Sequence, residues 1–254
     1  MDLNKLLKVS TLAGKIMLES GAETYRVEET ITRICTAFGA STADSFVIPT
    51  GIIVTATFND EVATIVKRIK SRGVDLNKID RINDLSRKIQ DSNVNINDFN
   101  DELLDISNGD RYSPLITLIS SGISAGCFAI MFGGTFKDFI AATLIGIFIK
   151  IVAIICQKLN INEFFINSLC GGLCAFLAII LIKLNIVTNL DKTIIGSIML
   201  LVPGLTITNA IRDTIAGDFL SGITKAAEAF LVAVSIAVGT GAILSIFINT
   251  LGGF

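Results

Sequence analysis

Histidine is absent from the sequence. That removes the commonest metal ligand and the one side chain whose unperturbed titration falls near neutrality, so proton handling must rest on carboxylates or a shifted lysine. Charge is also scarce: 17% of residues are charged against 51% hydrophobic, with a formal net charge of −2. No polybasic patch or nucleic-acid-binding signature occurs, which argues against a nucleic-acid partner. A Walker A loop, a dinucleotide-binding glycine fingerprint after a strand and a G-x-S-x-G elbow are all missing. ATP hydrolysis, redox and esterase chemistry therefore have no support, and neither a cofactor nor a bound metal is expected. The opening MDLNKLLKVSTLAGKIMLES is interrupted by Lys8, Lys15 and Glu19 and lacks the continuous apolar core of a secretory signal. The amino terminus is expected to stay in the cytosol.

The charges that are present divide the chain near Pro114. Residues 1–114 hold 14 Lys/Arg and 17 Asp/Glu, and residues 115–254 only 7 and 6. Beyond the division run five apolar stretches: Leu115–Gly133, Phe139–Cys156, Phe164–Ile182, Ile194–Ile211 and Ala229–Ile248. Each approaches the roughly 20 residues a helix needs to cross a ~30 Å hydrocarbon core. Cys127, Cys156, Cys170 and Cys174 lie within them, and read as small packing residues rather than a disulfide or metal pair. An odd number of spans puts the termini on opposite sides. Arg111, Lys158, Arg212 and Lys225 then face Lys137, Lys183 and Lys192 across the membrane. This slight positive-inside bias favours a cytoplasmic amino terminus and an external carboxyl terminus.

The fold class expected is a membrane α-helical bundle of five transmembrane helices (113–254) preceded by a small cytosolic α+β domain (1–112). Within that domain Leu3–Glu19 is helical by pattern, and Ser20-Gly-Ala-Glu23 fits a capping box that starts a second helix near Ala22. The face Val27, Ile31, Ile34, Phe38 recurs at helical spacing until Gly39. SFVIPTGIIVTATF reads as two strands around a Pro-Thr-Gly turn. Helices are expected at Glu61–Lys70, Asn77–Ile89 and about Asn97–Ile106, with a solvated turn over Asn93–Asn100.

Two places carry candidate chemistry. Lys150 sits twelve residues beyond Asp138, near the middle of the second stretch, where a cation costs a few kcal/mol. Gly146 and Ala142 share its stripe, so it either faces a polar cavity or a carboxylate, or snorkels to the nearer headgroups. In LLVPGLTITNAIRD, residues 200–213, Pro203 removes a donor and Gly204 loosens the backbone, predicting two half-helices. Backbone groups freed in a membrane are tolerated only where protein or a wet cavity satisfies them, as at the binding sites of secondary transporters. Thr206, Asn209 and Asp213 share one face beyond the break, while Arg212 and Asp213 also read as ordinary charges at a helix end. Asp218 follows, and Lys225 and Glu228 are spaced to pair. Gly122-x-x-x-Gly126, with Gly239 and Gly241, hints at close helix packing.

Two stretches resemble the threonine/serine exporter family of bacterial membrane proteins. One is LAGKIMLESGAETYRVEETITRICTAFG with PTGIIVT after it; the other is VPGLTITNAIRDTIAGDFLSGITKAAEA. The resemblance implies a cytosolic amino-terminal domain, about five spans, and export of threonine and serine, or of small dicarboxylates such as succinate in a two-subunit branch. The family motif falls on Gly21, Glu23, Arg26 and Glu28, then on Pro203, Gly204, Asn209, Arg212, Asp213, Gly217, Asp218, Ser221, Gly222 and Glu228. Lys225 stands where the family pattern has an arginine, which loses bidentate carboxylate binding. The chain's stop after the fifth apolar stretch implies a subunit completed by a second small multi-span protein, or a homo-oligomer.

The leading expectation is thus a gradient-driven exporter of a small carboxylate metabolite, embedded in lipid. Substrate contacts fall to Lys150, Pro203, Gly204, Thr206 and Asn209, and gating or proton coupling to Arg212, Asp213, Asp218, Lys225 and Glu228. A zwitterionic amino acid and a dicarboxylate fit equally. The competing expectation is a membrane-tethered enzyme working through Glu23, Arg26 and Glu28, although an ion-paired solvated face explains those residues more cheaply. A structural scaffold, with the break incidental, is a third.

Overall fold

The structure is a computed structural model that describes residues 2–91, 94–109 and 112–251. Asn93, at which the expected solvated turn begins, and Arg111, counted among the inner cations, lie outside them. The chain forms two compact units: Met1–Asp110 with Gly204–Ala227, and Arg111–Pro203 with Glu228–Phe254.

In the first unit, α1 (Leu3–Glu19) is capped by Asp2, whose carboxylate accepts the Asn4 N–H at 2.9 Å. It ends in a Schellman turn: Gly21 adopts φ +89°, its N–H donates to the Leu18 carbonyl, and the Ala22 N–H donates to Met17. α2 (Thr24–Ala37) starts only after this turn, with Glu23 at the N-cap. The expected Ser20–Glu23 capping box is therefore corrected, because Ser20 closes the preceding helix. Gly14 lets α1 and α2 touch, since a Cβ there would stand 2.5 Å from Ile31 Cδ1.

Three antiparallel strands follow in sequence order: β1 (Thr42–Ile48), β2 (Gly51–Phe58) and β3 (Glu61–Arg68). Val47, Ile52, Val54 and Ala56 are buried against the helices. β3 replaces the helix expected over Glu61–Lys70. Asn59 and Asp60 both have positive φ, 50° and 63°, as a two-residue hairpin requires, and the β-branched Val62, Thr64, Ile65 and Val66 follow directly. α3 (Leu76–Asp91) and α4 (Ile96–Asn108) complete the core, where Phe99 meets Phe38 edge-on at 5.6 Å. α9 (Gly204–Ala216) and the opening turns of α10 (Phe219–Leu251) belong to this unit as well.

The second unit contains α5 (Pro114–Met131), α6 (Phe136–Lys158), α7 (Glu163–Lys183), α8 (Leu190–Ile198) and the rest of α10. Among the described residues four helices are long and apolar enough to cross a membrane: α5, α6, α7 and α10. The expected fourth span, Ile194–Ile211, breaks into α8 and α9 at residues 199–203, as Pro203 and Gly204 predict. Neither half is long enough to cross a membrane, so the expected five spans are corrected to four among the described residues. Nine residues of α8 rise only about 13 Å. The fifth stretch extends well upstream of Ala229, as one 33-residue helix.

Small residues set the bundle's close crossings. A Cβ on Gly126 would stand 2.4 Å from Thr143 Oγ1, and one on Gly146 2.8 Å from the Ala125 Cβ, so α5 and α6 meet across glycines. Asp138 is buried completely and accepts from the Thr135 N–H and hydroxyl, the Thr188 and Asn189 N–H groups and the Asn189 amide, at 2.7–3.1 Å. It pins the loop after α7 to the start of α6. Asp138→Ala would take the acceptor from five hydrogen-bond donors at once, so we expect a loss of about 3 kcal/mol, read as a lower melting temperature in detergent.

Candidate functional site

The positive-φ turn at Gly21 leaves the backbone of residues 21–24 in need of partners, and a Cβ at Gly21 would stand 2.9 Å from the Gly73 carbonyl. α9 and α10, in the same unit, supply them. They are joined by a second Schellman turn: Gly217 has φ +97°, the Gly217 N–H donates to Thr214 and the Asp218 N–H to Asp213. Gly222 allows α10 to lie on α9, since a Cβ there would stand 3.0 Å from the Ala210 carbonyl.

On this scaffold the Asn209 amide donates to the Gly21 carbonyl at 2.8 Å. Lys225 Nζ lies 2.7 Å from Asp213 Oδ2 and 3.4 Å from the Ala22 carbonyl. Asp213 Oδ1 accepts the Thr24 N–H at 3.1 Å. Glu23 makes no side-chain cap bond to α2, so Asp213, distant in sequence, supplies the carboxylate at that helix's positive end. The Thr24 hydroxyl donates to Asp218 Oδ2 at 3.3 Å. Arg212 donates to Glu23 Oε1 at 2.6 Å, and Arg26 Nε lies 3.5 Å from Glu23 Oε2.

Burial separates the Asp213–Lys225 pair from the Arg212–Glu23 pair. Asp213 and Lys225 are 0% and 3% exposed, whereas Arg212 keeps about half its side chain in solvent (53%). Burial alone would raise the Glu23 carboxyl. The backbone hydrogen bond at its own position, the Arg212 hydrogen bond and the charges of Arg26 and Arg212 outweigh that and hold it below the usual range. A carboxyl lowered on folding adds stability that is present above its unfolded pKa and lost as the pH falls through the folded one. Glu23→Gln should therefore lower the melting temperature at neutral pH, with the difference from the parent closing on acidification.

The motif residues Gly21, Glu23, Arg26, Asn209, Arg212, Asp213, Asp218 and Lys225 thus meet in one network, and Glu28 joins it through β1 by accepting the Val47 N–H at 2.7 Å. Asp213 is a fully buried hub, not the ordinary helix-end charge that its position suggests. Thr206 is half-buried and, among the described residues, makes no side-chain hydrogen bond. Pro203 precedes α9 and Gly204 opens it. Glu228 begins the second unit's share of α10. Lys150 belongs to the bundle, half-buried, with no ion pair among the described residues. Sequence reasoning misses Thr24, the Ala22 carbonyl and Asp138. No side-chain pattern marks backbone partners, and Asp138 looks like a loop charge.

Several helices long and apolar enough to cross a membrane, in one chain with an α+β unit that carries a buried ion pair, define a multi-pass membrane protein. The chain belongs to the threonine/serine exporter family: residues 8–247 match the family described as "Putative threonine/serine exporter". It is 21% identical over 245 residues to the "Probable threonine/serine exporter" of Mycobacterium tuberculosis, covering 94% of this chain but 46% of that protein, so it spans about half the relative's length. It is also 22% identical to two proteins named "Probable succinate transporter subunit YjjP". The one from Klebsiella aerogenes aligns over 88% of this chain and 86% of its own, and the one from Escherichia coli over 92% and 91%. No solved structure matches.

Proposed function

We propose that this protein is a gradient-driven exporter subunit for a small carboxylate metabolite, threonine or serine on one hand or a dicarboxylate such as succinate on the other. Residues 1–110 with 204–227 form its cytosolic part and residues 111–203 with 228–254 its membrane part, with the amino terminus in the cytoplasm and a second small multi-span subunit or further copies of the chain completing it. Support comes from the family membership and from the helix break at residues 199–203, which leads straight into the charged network of α9 and α10. Pro203 and Gly204 free backbone groups at the break, and Thr206 and Asn209 offer polar contacts beyond it. Lys150 provides a cation in the bundle for a carboxylate. Arg212, Asp213, Asp218, Lys225 and Glu228 form the gating segment, to which proton binding is coupled.

Inside-out vesicles carrying the chain, with and without a co-expressed small membrane subunit, test this. Labelled threonine, serine or succinate should accumulate under an imposed proton gradient, and Lys150→Met should reduce uptake at least tenfold, a loss of about 1.4 kcal/mol. No accumulation of any of the three in either preparation would sink the reading.

A further inference from the structure

Asp213 has both oxygens committed, one to the Thr24 N–H and one to Lys225. A proton placed there would strand a buried ammonium. Asp218 receives the Thr24 hydroxyl. Glu28 is placed differently. Its Oε1 accepts the Val47 N–H, and among the described residues its Oε2 has no hydrogen-bond partner. On one side Glu28 lines an open groove of about 570 Å³ between α2 and β1, with Glu29, Arg33, Asp44 and Ser45. On the other it feels the charges of Asp218 and Asp213.

We infer that Glu28 is the protonation site of this unit, a carboxyl that takes a proton from water in the α2–β1 groove and so changes the charge facing the Asp213–Lys225 pair. The inference rests on the gradient-driven reading and goes beyond it by naming the group on which the proton lands.

The surrounding charges leave that role to Glu28. On its own helix Arg33 is tied to Glu29 and to the Ser86 hydroxyl, and Tyr25 lines the same groove. β1 contributes Asp44, another acid. α9 presents Asp213, the α9–α10 corner Asp218, and α10 Lys225, already paired with Asp213. Among the described residues no cation pairs with Glu28. Burial first, and then repulsion by Asp218 and Asp213, raise its carboxyl above the ordinary range, against the pull of the Val47 N–H.

On protonation an O–H bond forms at Oε2, with the proton drawn from hydronium in the groove, and one negative charge disappears. Oε1 becomes a weaker acceptor for the Val47 N–H. The Val47 carbonyl accepts the Ser221 hydroxyl of α10 at 3.5 Å, so the event is felt at the same strand residue that α10 grips.

Infrared difference spectra of the full-length protein in detergent, taken between about pH 5 and pH 8, test this without transport. A titrating protonated-carboxyl band is expected in the parent and in Glu29→Gln, and lost in Glu28→Gln. Survival of the band in Glu28→Gln overturns the inference. Should that variant not fold, Glu28→Asp must shift the band's midpoint, and an unchanged midpoint overturns it equally. In vesicles the pH dependence of uptake should flatten in Glu28→Gln, and a parental profile there counts against the site. If no variant transports while the band is still lost in Glu28→Gln, the exporter reading fails and the protonation site stands.

Discussion

Asp213→Ala should lower the stability of the protein by about 3–5 kcal/mol. Removing this carboxylate leaves the Lys225 ammonium almost wholly buried without a counter-charge and the Thr24 N–H without its acceptor. Lys225→Met should also destabilise, by orphaning the Asp213 charge, but its apolar stem fills the same space. The double variant Asp213→Ala/Lys225→Met should recover part of the loss, because no lone charge remains. Its coupling energy should reach about 1–3 kcal/mol. Chemical unfolding in detergent measures all four forms. Additive single effects would show that the pair is not coupled. Recovery should stay incomplete, since nothing in the double variant restores the Thr24 hydrogen bond.

The second large effect concerns the bundle. Gly239→Ala would place a Cβ 1.8 Å from the Ser168 carbonyl oxygen and 2.7 Å from its carbon, both backbone atoms that cannot rotate away. α10 must then lift from α7, at a cost of at least about 3 kcal/mol, the upper end for overpacking. Gly241, two residues on in the same helix, has open space around it: a Cβ added there would meet nothing within 4 Å. Gly241→Ala should be neutral, or stabilising by up to about 1 kcal/mol through helix propensity. Melting temperatures and elution profiles of the two variants decide the matter. Equal behaviour would mean that α7 and α10 do not cross at Gly239.

Much of the architecture is legible in the sequence because hydrophobic period and length carry it. The apolar runs of α5, α6 and α7 can be bounded to within a few residues, and the Val27–Ile34 face of α2 follows from its spacing. β3 is easily misread because Glu61, Lys67 and Arg68 look like a solvated helix face; the Asn59-Asp60 turn before a β-branched run is the better signal. The extent of α10 is hidden because Asp218 and Lys225 suggest a loop, whereas the stretch is helical and turns Lys225 onto the buried Asp213. Of the candidate site, the residue list is visible and its geometry is not. Thr206, Asn209 and Asp213 do share a face, but the face meets the Gly21–Thr24 corner of its own unit.

The order of amino acids by itself determined the class of protein: which segments are apolar enough to sit in lipid, that a proline and a glycine interrupt one of them, and that no histidine is available for proton traffic. Only the tertiary structure decided that the charged segment after the break packs with the amino-terminal unit and that Asp213 caps a helix nearly two hundred residues away. The physical reason is that periodicity reports which side of an element is buried. The partner of a buried charge is chosen by three-dimensional proximity in a medium where leaving that charge alone is costly.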